Sequence, residues 1–197
     1  VYGQVDIDKP AGPSESLIYI NDAKYVSFAA AELLAQLEHD PDAVAVAVSE
    51  SKDTLLLIQK ELKVQLENCQ RKETISKSIE NSMLFLVRNQ EEAIDAINRV
   101  ASEHLVLLVD EYKSMLPKIK HAGAIFLGPY TPVALGDYYG GTNHVLPTSG
   151  AARFASPLGV MDFIKYFSLL YYSKEKLAAA KEDVRIISEM EGFDAHF

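Results

Sequence analysis

The amino-acid sequence predicts an α/β protein with a mostly parallel sheet and a C-terminal helical tail, and three observations carry that expectation. Short apolar, β-branched runs alternate with longer segments of helical period as far as residue 128. From Pro129 to Pro157 both periods disappear. Beyond Pro157 helical patterning returns with no strand after it.

In chain order, Leu17–Ile20, Ala43–Val48, Met83–Val87, His104–Val109 and Ala124–Leu127 read as buried strands. A helix ending near Gln36-Leu37-Glu38-His39 separates the first two. In the next helix Leu55, Ile58, Leu62 and Leu66 form an apolar stripe at spacings of three and four, and Cys69 continues it as a core residue. Asn89 followed by Glu92 is a capping box that opens a helix carrying Ile94 and Ile97. Strands alternating with helices in this way argue for crossover connections and a parallel sheet. The Pro129–Pro157 stretch is rich in Gly, Pro, Thr and Asn. A loop of that length inside a compact domain is functional or disordered. Tyr130, Tyr138, Tyr139, Val145 and Leu146 argue against disorder. Two helices follow, about Leu158–Tyr172 and Glu175–Glu191, with Gly192 as the stop for the second. The expected division is 1–157 for the α/β portion and 158–197 for the tail.

A net charge of −9 speaks against nucleic-acid and anionic-membrane surfaces. No apolar stretch is long enough to span a bilayer, and no signal-peptide pattern opens the sequence. A single cysteine allows no disulfide within one chain, which fits a reducing compartment. The first residue is Val1, so a longer natural chain is expected.

The candidate chemistry centres on five histidines, His39, His104, His121, His144 and His196. A histidine in isolation is more often a surface or satisfied core residue than a ligand. Gln36 and His39 are three apart and share a helix face, so they can converge on one point. From this pair alone the better reading is a polar helix terminus, with His39 favoured by the dipole. Glu103-His104 lies where a helix gives way to a strand. It is either a proton-transfer pair, if the turn aims both side chains at one site, or a surface acid beside a half-buried imidazole. Gly136-Asp137-Tyr138-Tyr139-Gly140-Gly141-Thr142-Asn143-His144 offers a hard oxygen donor between glycines, or merely a Gly-rich turn with an Asx hydrogen bond. Glu191 and His196 would diverge by about 140° on one helix, but the Gly192 stop lets them line a corner. No thiolate is placed for aldehyde oxidation, and no G-x-G-x-x-G follows a strand.

Six stretches together resemble histidinol dehydrogenase along essentially the whole chain. They are Asp8–Glu15, Leu33–Pro41, Glu103–Leu105, His121–Gly128, Gly136–Thr148 with Arg153-Phe154, and Glu191–His196. Ser102 stands where the family often has proline. The resemblance implies a Rossmann-like sheet, here an incomplete half of the family's catalytic domain. It also implies oxidation of L-histidinol to L-histidine by two NAD through an aldehyde stage, the last step of histidine biosynthesis. By matching motifs Gln36, His39, Asp137 and His196 would bind one zinc ion. Ser14, Gln36, His39, His104, Asp137, Glu191 and His196 would contact substrate.

In the same resemblance His104 would be the general base and Glu103 would activate water for the second oxidation, so that no thiolate is needed. His144 would be loop structure or a support behind the ligands. The tail would cross to the partner of a homodimer, and Glu191 and His196 would complete that partner's site. The family protein is longer, and the portion expected to hold NAD lies outside this chain. The implied location is the cytoplasm, or the plastid in a plant. The rival reading is a truncated, non-catalytic zinc-binding or assembly module from the same family.

Overall fold

The computed structural model describes residues 3–9 and 12–196. Val1 lies outside them, as do Pro10 and Ala11 of the first motif. Five parallel strands form one sheet: β1 Glu15–Ile20, β2 Val44–Ser49, β3 Met83–Leu86, β4 His104–Leu108 and β5 Ala124–Leu127. Their spatial order is β3-β2-β1-β4-β5, so the direction of winding reverses between β1 and β4. The connecting helices are α1 Val26–Leu37, α2 Lys52–Leu66, α3 Lys72–Ser78, α4 Gln90–Val100 and α5 Tyr112–Met115.

Because side chains alternate along a strand, the inner strands β1, β2 and β4 each feed two cores. Ile18, Ile20, Ala45, Ala47, Val106 and Leu108 pack with Leu33, Leu37, Leu55 and Ile58 of α1 and α2. Leu17, Tyr19, Val46, Val48, Leu105 and Leu107 pack with Ile94 and Ile97 of α4 and with Met115. The sheet and its helices belong to a unit that ends at Asp162, and a second unit begins at Phe163.

Several local expectations need correction. β3 reads as buried but is an edge strand, and all four of its side chains are 39 to 53% exposed. The flanking helices spend their apolar faces on the inner strands, and only Val87 just beyond β3 is buried. The capping box is half formed. Asn89 Oδ1 accepts from Glu92 N at 2.9 Å, while the Glu92 carboxylate accepts from Arg88 N at 2.6 Å. Cys69 lies beyond the end of α2 and keeps its packing against the core from a turn. The Pro129–Pro157 stretch contains a short helix, α6 Val133–Tyr138.

The expected helix at Leu158–Tyr172 reduces to a 3-10 turn at Val160–Phe163. Its apolar residues, Phe167, Leu169, Leu170 and Tyr171 among them, are exposed, and a helix without a packed face lacks its main source of stability. The second tail helix forms as α7 Lys174–Glu191. Ser173 caps its start, and Gly192 ends it at φ 74°, a left-handed conformation that glycine adopts without strain.

Candidate functional site

At the N-terminal ends of the strands a cavity of about 350 Å³ is lined by Ser14, His39, Glu103, His104, Asp137, Tyr138 and His144. Each side chain arrives by a different local device. Ser14 immediately precedes β1, and His39 follows the last turn of α1, its N–H bonded to Gln36 O at 3.3 Å. Ala101 closes α4 in the left-handed region at φ 53°, and the chain bends through Glu103 before β4 begins at His104. That bend is the condition under which an adjacent acid and imidazole can serve one site.

Two glycines permit the remaining approach. A Cβ on Gly123 would stand 2.6 Å from Glu103 O, so only glycine lets the segment before β5 lie against this bend. A Cβ on Gly136 would stand 2.6 Å from Phe126 Cε1, so α6 rests on that ring and presents Asp137 and Tyr138. Gly136 therefore serves close packing on an aromatic ring. The Asx hydrogen bond is found at Asn143, whose Oδ1 accepts from Val145 N at 2.8 Å.

Glu103 and His104 are each only 6% exposed. Glu103 Oε2 accepts from Glu15 N at 3.0 Å and lies 3.6 Å from His104 Nδ1. His104 Nδ1 also lies 3.3 Å from Glu15 O. A carbonyl can only accept, so this contact calls for the proton on Nδ1 and leaves Nε2 with its lone pair. Nε2 is buried with no hydrogen-bond partner.

The electrostatics complement this arrangement. Burial pushes the Glu103 carboxyl up to about 7, against the Glu15 N–H that favours its anion, and negative charge on Glu15 and Asp137 raises it further. Burial pushes the His104 imidazole down, with Asp137 opposing. A neutral base thus stands beside an acid that can take or give a proton near neutral pH.

The expected residues Ser14, His39, Glu103, His104 and Asp137 therefore come together, and His144 joins them. Gln36 is buried at 4% exposure on α1, and its Nε2 has no partner. Amide oxygen and nitrogen can exchange places by a flip, so the same orphaned position could present a ligand oxygen. Among the described residues no group of three or more His, Cys, Asp or Glu side chains is placed to hold a metal ion. Gln36, His39 and Asp137 nevertheless offer nitrogen and oxygen donors of the type zinc accepts, and the buried Gln36 amide, which does not line the pocket, is the observation that fits a ligand role.

Glu191 and His196 belong to the second unit. Glu191 is the last residue of α7, and His196 stacks on Phe193 with ring centroids 5.1 Å apart. His196 also lines a cleft with Lys174, Leu177, Ala178, Lys181 and Val184. Sequence reasoning assigned no role to Tyr138 or Glu15. The signal for each was present: Tyr138 is next to Asp137, and Glu15 closes the first motif.

Comparison with known proteins adds a consistent result. A family model described as histidinol dehydrogenase matches residues 1–197. A histidinol dehydrogenase of Oceanobacillus iheyensis is 45% identical over 197 residues, covering 100% of this chain and 46% of the relative. One from Lactococcus lactis subsp. lactis is 48% identical over 196 residues, covering 99% of this chain and 46% of the relative. The crystal structure of histidinol dehydrogenase from Elizabethkingia anophelis superposes with a TM-score of 0.88 at 33% identity, covering 98% of this chain and 44% of that one. The chain thus spans about half the length of the relatives it matches.

Proposed function

The chain belongs to the histidinol dehydrogenase family, and from that premise we propose that it carries the substrate- and metal-binding residues for the oxidation of L-histidinol to L-histidine. The single observation that supports this most is the shared pocket, in which a buried, unpartnered His104 Nε2 sits with Glu103, Ser14, His39 and Asp137.

In this reading His104 Nε2 takes the hydroxyl proton of histidinol as its carbinol carbon is oxidised to the aldehyde stage; NAD, when bound, would accept the hydride at each oxidation. Glu103, ionised at neutral pH or just above, then takes a proton from water as it adds to that carbonyl. Once His104 Nε2 has released that first proton to water, it takes the hydroxyl proton of the hydrate as the same carbon is oxidised again, leaving the carboxylic acid. Hydration replaces the thioester that a cysteine would form, in keeping with Cys69 packing against the core and not lining the pocket. Ser14, Gln36, His39, Asp137, Glu191 and His196 hold and orient the substrate. Gln36, His39, Asp137 and His196 would bind a zinc ion, which supplies a template for the substrate's imidazole and amine.

The tail is proposed to dock on a second copy, bringing Glu191 and His196 to the partner's pocket. The exposed apolar side chains of residues 163–190 support that reading. The NAD site is proposed to lie in the remainder of the family protein, and the location to be the cytoplasm. No helix among the described residues is long and apolar enough to cross a membrane.

A non-catalytic zinc-binding or assembly module from the same family is the second reading, favoured by the exposed apolar side chains of the tail, which suit a docking surface. Isothermal titration with zinc and then histidinol, on the chain and on His39→Ala, separates the two. Zinc-dependent histidinol binding that the substitution abolishes is expected. Absence of histidinol binding by the zinc-loaded chain would refute the substrate-site reading. Substantial NADH production by the chain alone would refute the placement of the NAD site.

A further inference from the structure

Glu15 touches the candidate site in three ways at once: the β1–β4 register, Ser16 beside His104, brings its backbone to Glu103 and His104, but does not account for its carboxylate. Its backbone N–H donates to Glu103 Oε2 at 3.0 Å, and its backbone carbonyl stands 3.3 Å from His104 Nδ1. Its carboxylate, on the same residue, accepts from Ser149 N at 2.8 Å, and the neighbouring Gly150 N–H favours its anion. Ser149 and Gly150 are successive left-handed residues, at φ 55° and 73°. For serine that conformation carries strain and persists only where surrounding contacts hold it. The Ser149 N–H bound to the Glu15 carboxylate, with the Gly150 N–H beside it, is such a contact.

The held turn is itself close to the site. A Cβ on Gly12, two residues before Ser14, would lie 2.6 Å from both Thr148 Oγ1 and Ser149 Oγ. A Cβ on Gly123 would meet Pro147 Cδ at 3.2 Å as well as the Glu103 backbone. The segment 147–150 is thus wedged against the chain on either side of the pocket, and it anchors the loop that bears Asp137 and His144. Arg153 closes the turn from its other side by donating to Gly150 O at 2.9 Å and to Arg99 O.

We propose that Glu15 is a positioning residue for this site, orienting Glu103 and His104 through its backbone and anchoring the Asp137–His144 loop through its carboxylate. The proposal rests on the reading of Glu103 and His104 as the catalytic pair. One residue then couples the loop to the pair, so displacement of the turn is felt where protons move. Glutamine keeps one acceptor oxygen at the same reach and alanine keeps none, which makes the two substitutions an internal control.

The test uses the whole chain. Nitrogen-15 spectra of the wild type should show His104 protonated on Nδ1 and bare on Nε2. Amide exchange at Ser149 and Gly150 should be at least about tenfold faster in Glu15→Ala, the loss expected for one charge-assisted hydrogen bond, and Glu15→Gln should restore most of the Ser149 protection. Histidinol affinity of the zinc-loaded chain should fall about tenfold in Glu15→Ala and recover in Glu15→Gln. If the alanine variant does not fold, Glu15→Asp, which keeps the charge but withdraws the oxygen from Ser149, is read in its place. A proton on Nε2 in the wild type, or unchanged Ser149 and Gly150 exchange in the variants, would overturn the proposal. Failure of the wild type to bind histidinol would refute the substrate reading instead, and the ring and amide measurements would still decide the role of Glu15.

Discussion

Replacing Glu103 by glutamine should make the folded chain more stable above neutral pH while disabling the site. The Glu103 carboxyl is raised from an ordinary value of 4.5 to about 7, chiefly by burial. Between those values the folded state binds a proton that the unfolded state has released, so stability falls as pH rises through this window. At about 1.4 kcal/mol per pH unit, the interval corresponds to about 3 kcal/mol above pH 7. Water entering an open pocket screens some of that, so about 1.5 to 3 kcal/mol is the expected range. Glutamine retains an oxygen for the Glu15 N–H and has no proton to lose. Urea denaturation of both proteins at intervals from pH 5 to pH 8 measures the difference, and titrations elsewhere cancel in the comparison. The variant should draw level with wild type near pH 5 and exceed it by pH 8. A difference that stays flat across that range would refute the burial argument.

Two further outcomes follow from contacts already described. Gly123→Ala places a methyl 2.6 Å from the Glu103 backbone oxygen, which cannot rotate aside, and should cost about 1 to 3 kcal/mol in thermal or urea unfolding and weaken histidinol binding. Asn89→Ala removes the hydrogen bond to Glu92 N at the start of α4 and should cost about 1 kcal/mol by the same measurement, with ligand binding unchanged because α4 does not line the pocket.

The five strands were legible because a parallel strand covered on both faces leaves a short, unbroken apolar run in the sequence. That signal marks a strand without revealing its neighbours, which is why β3 reads as buried although none of the described residues forms a strand beyond it in the sheet. The pairing of Glu103 with His104 was legible only as an even choice. Whether neighbours point together depends on one bend, and Ala101 at φ 53° sets up that bend with no glycine to announce it. The glycines at 136, 140 and 141 masked α6, a helix too short to show a period. At residues 158–172 the error ran the other way. Dense apolar and aromatic residues imitate a buried helix, yet the surface that would cover them is not supplied by the residues around them. Glu15 was overlooked because two of its three contacts with the site are made by its backbone, and a search by side-chain chemistry does not see those.

The exposed margin at β3 has a geometric consequence. The sheet has unlike borders, β3 on one side and β5 on the other, with every strand pointing the same way. Two copies meeting β3 to β3 would be related by a twofold axis, would run antiparallel at the seam, and would stop at a pair. A copy that offered its β5 border to the β3 of another would preserve the common direction and leave a fresh β3 free after each addition. The polarity of a single added strand would then separate a closed dimer from a filament.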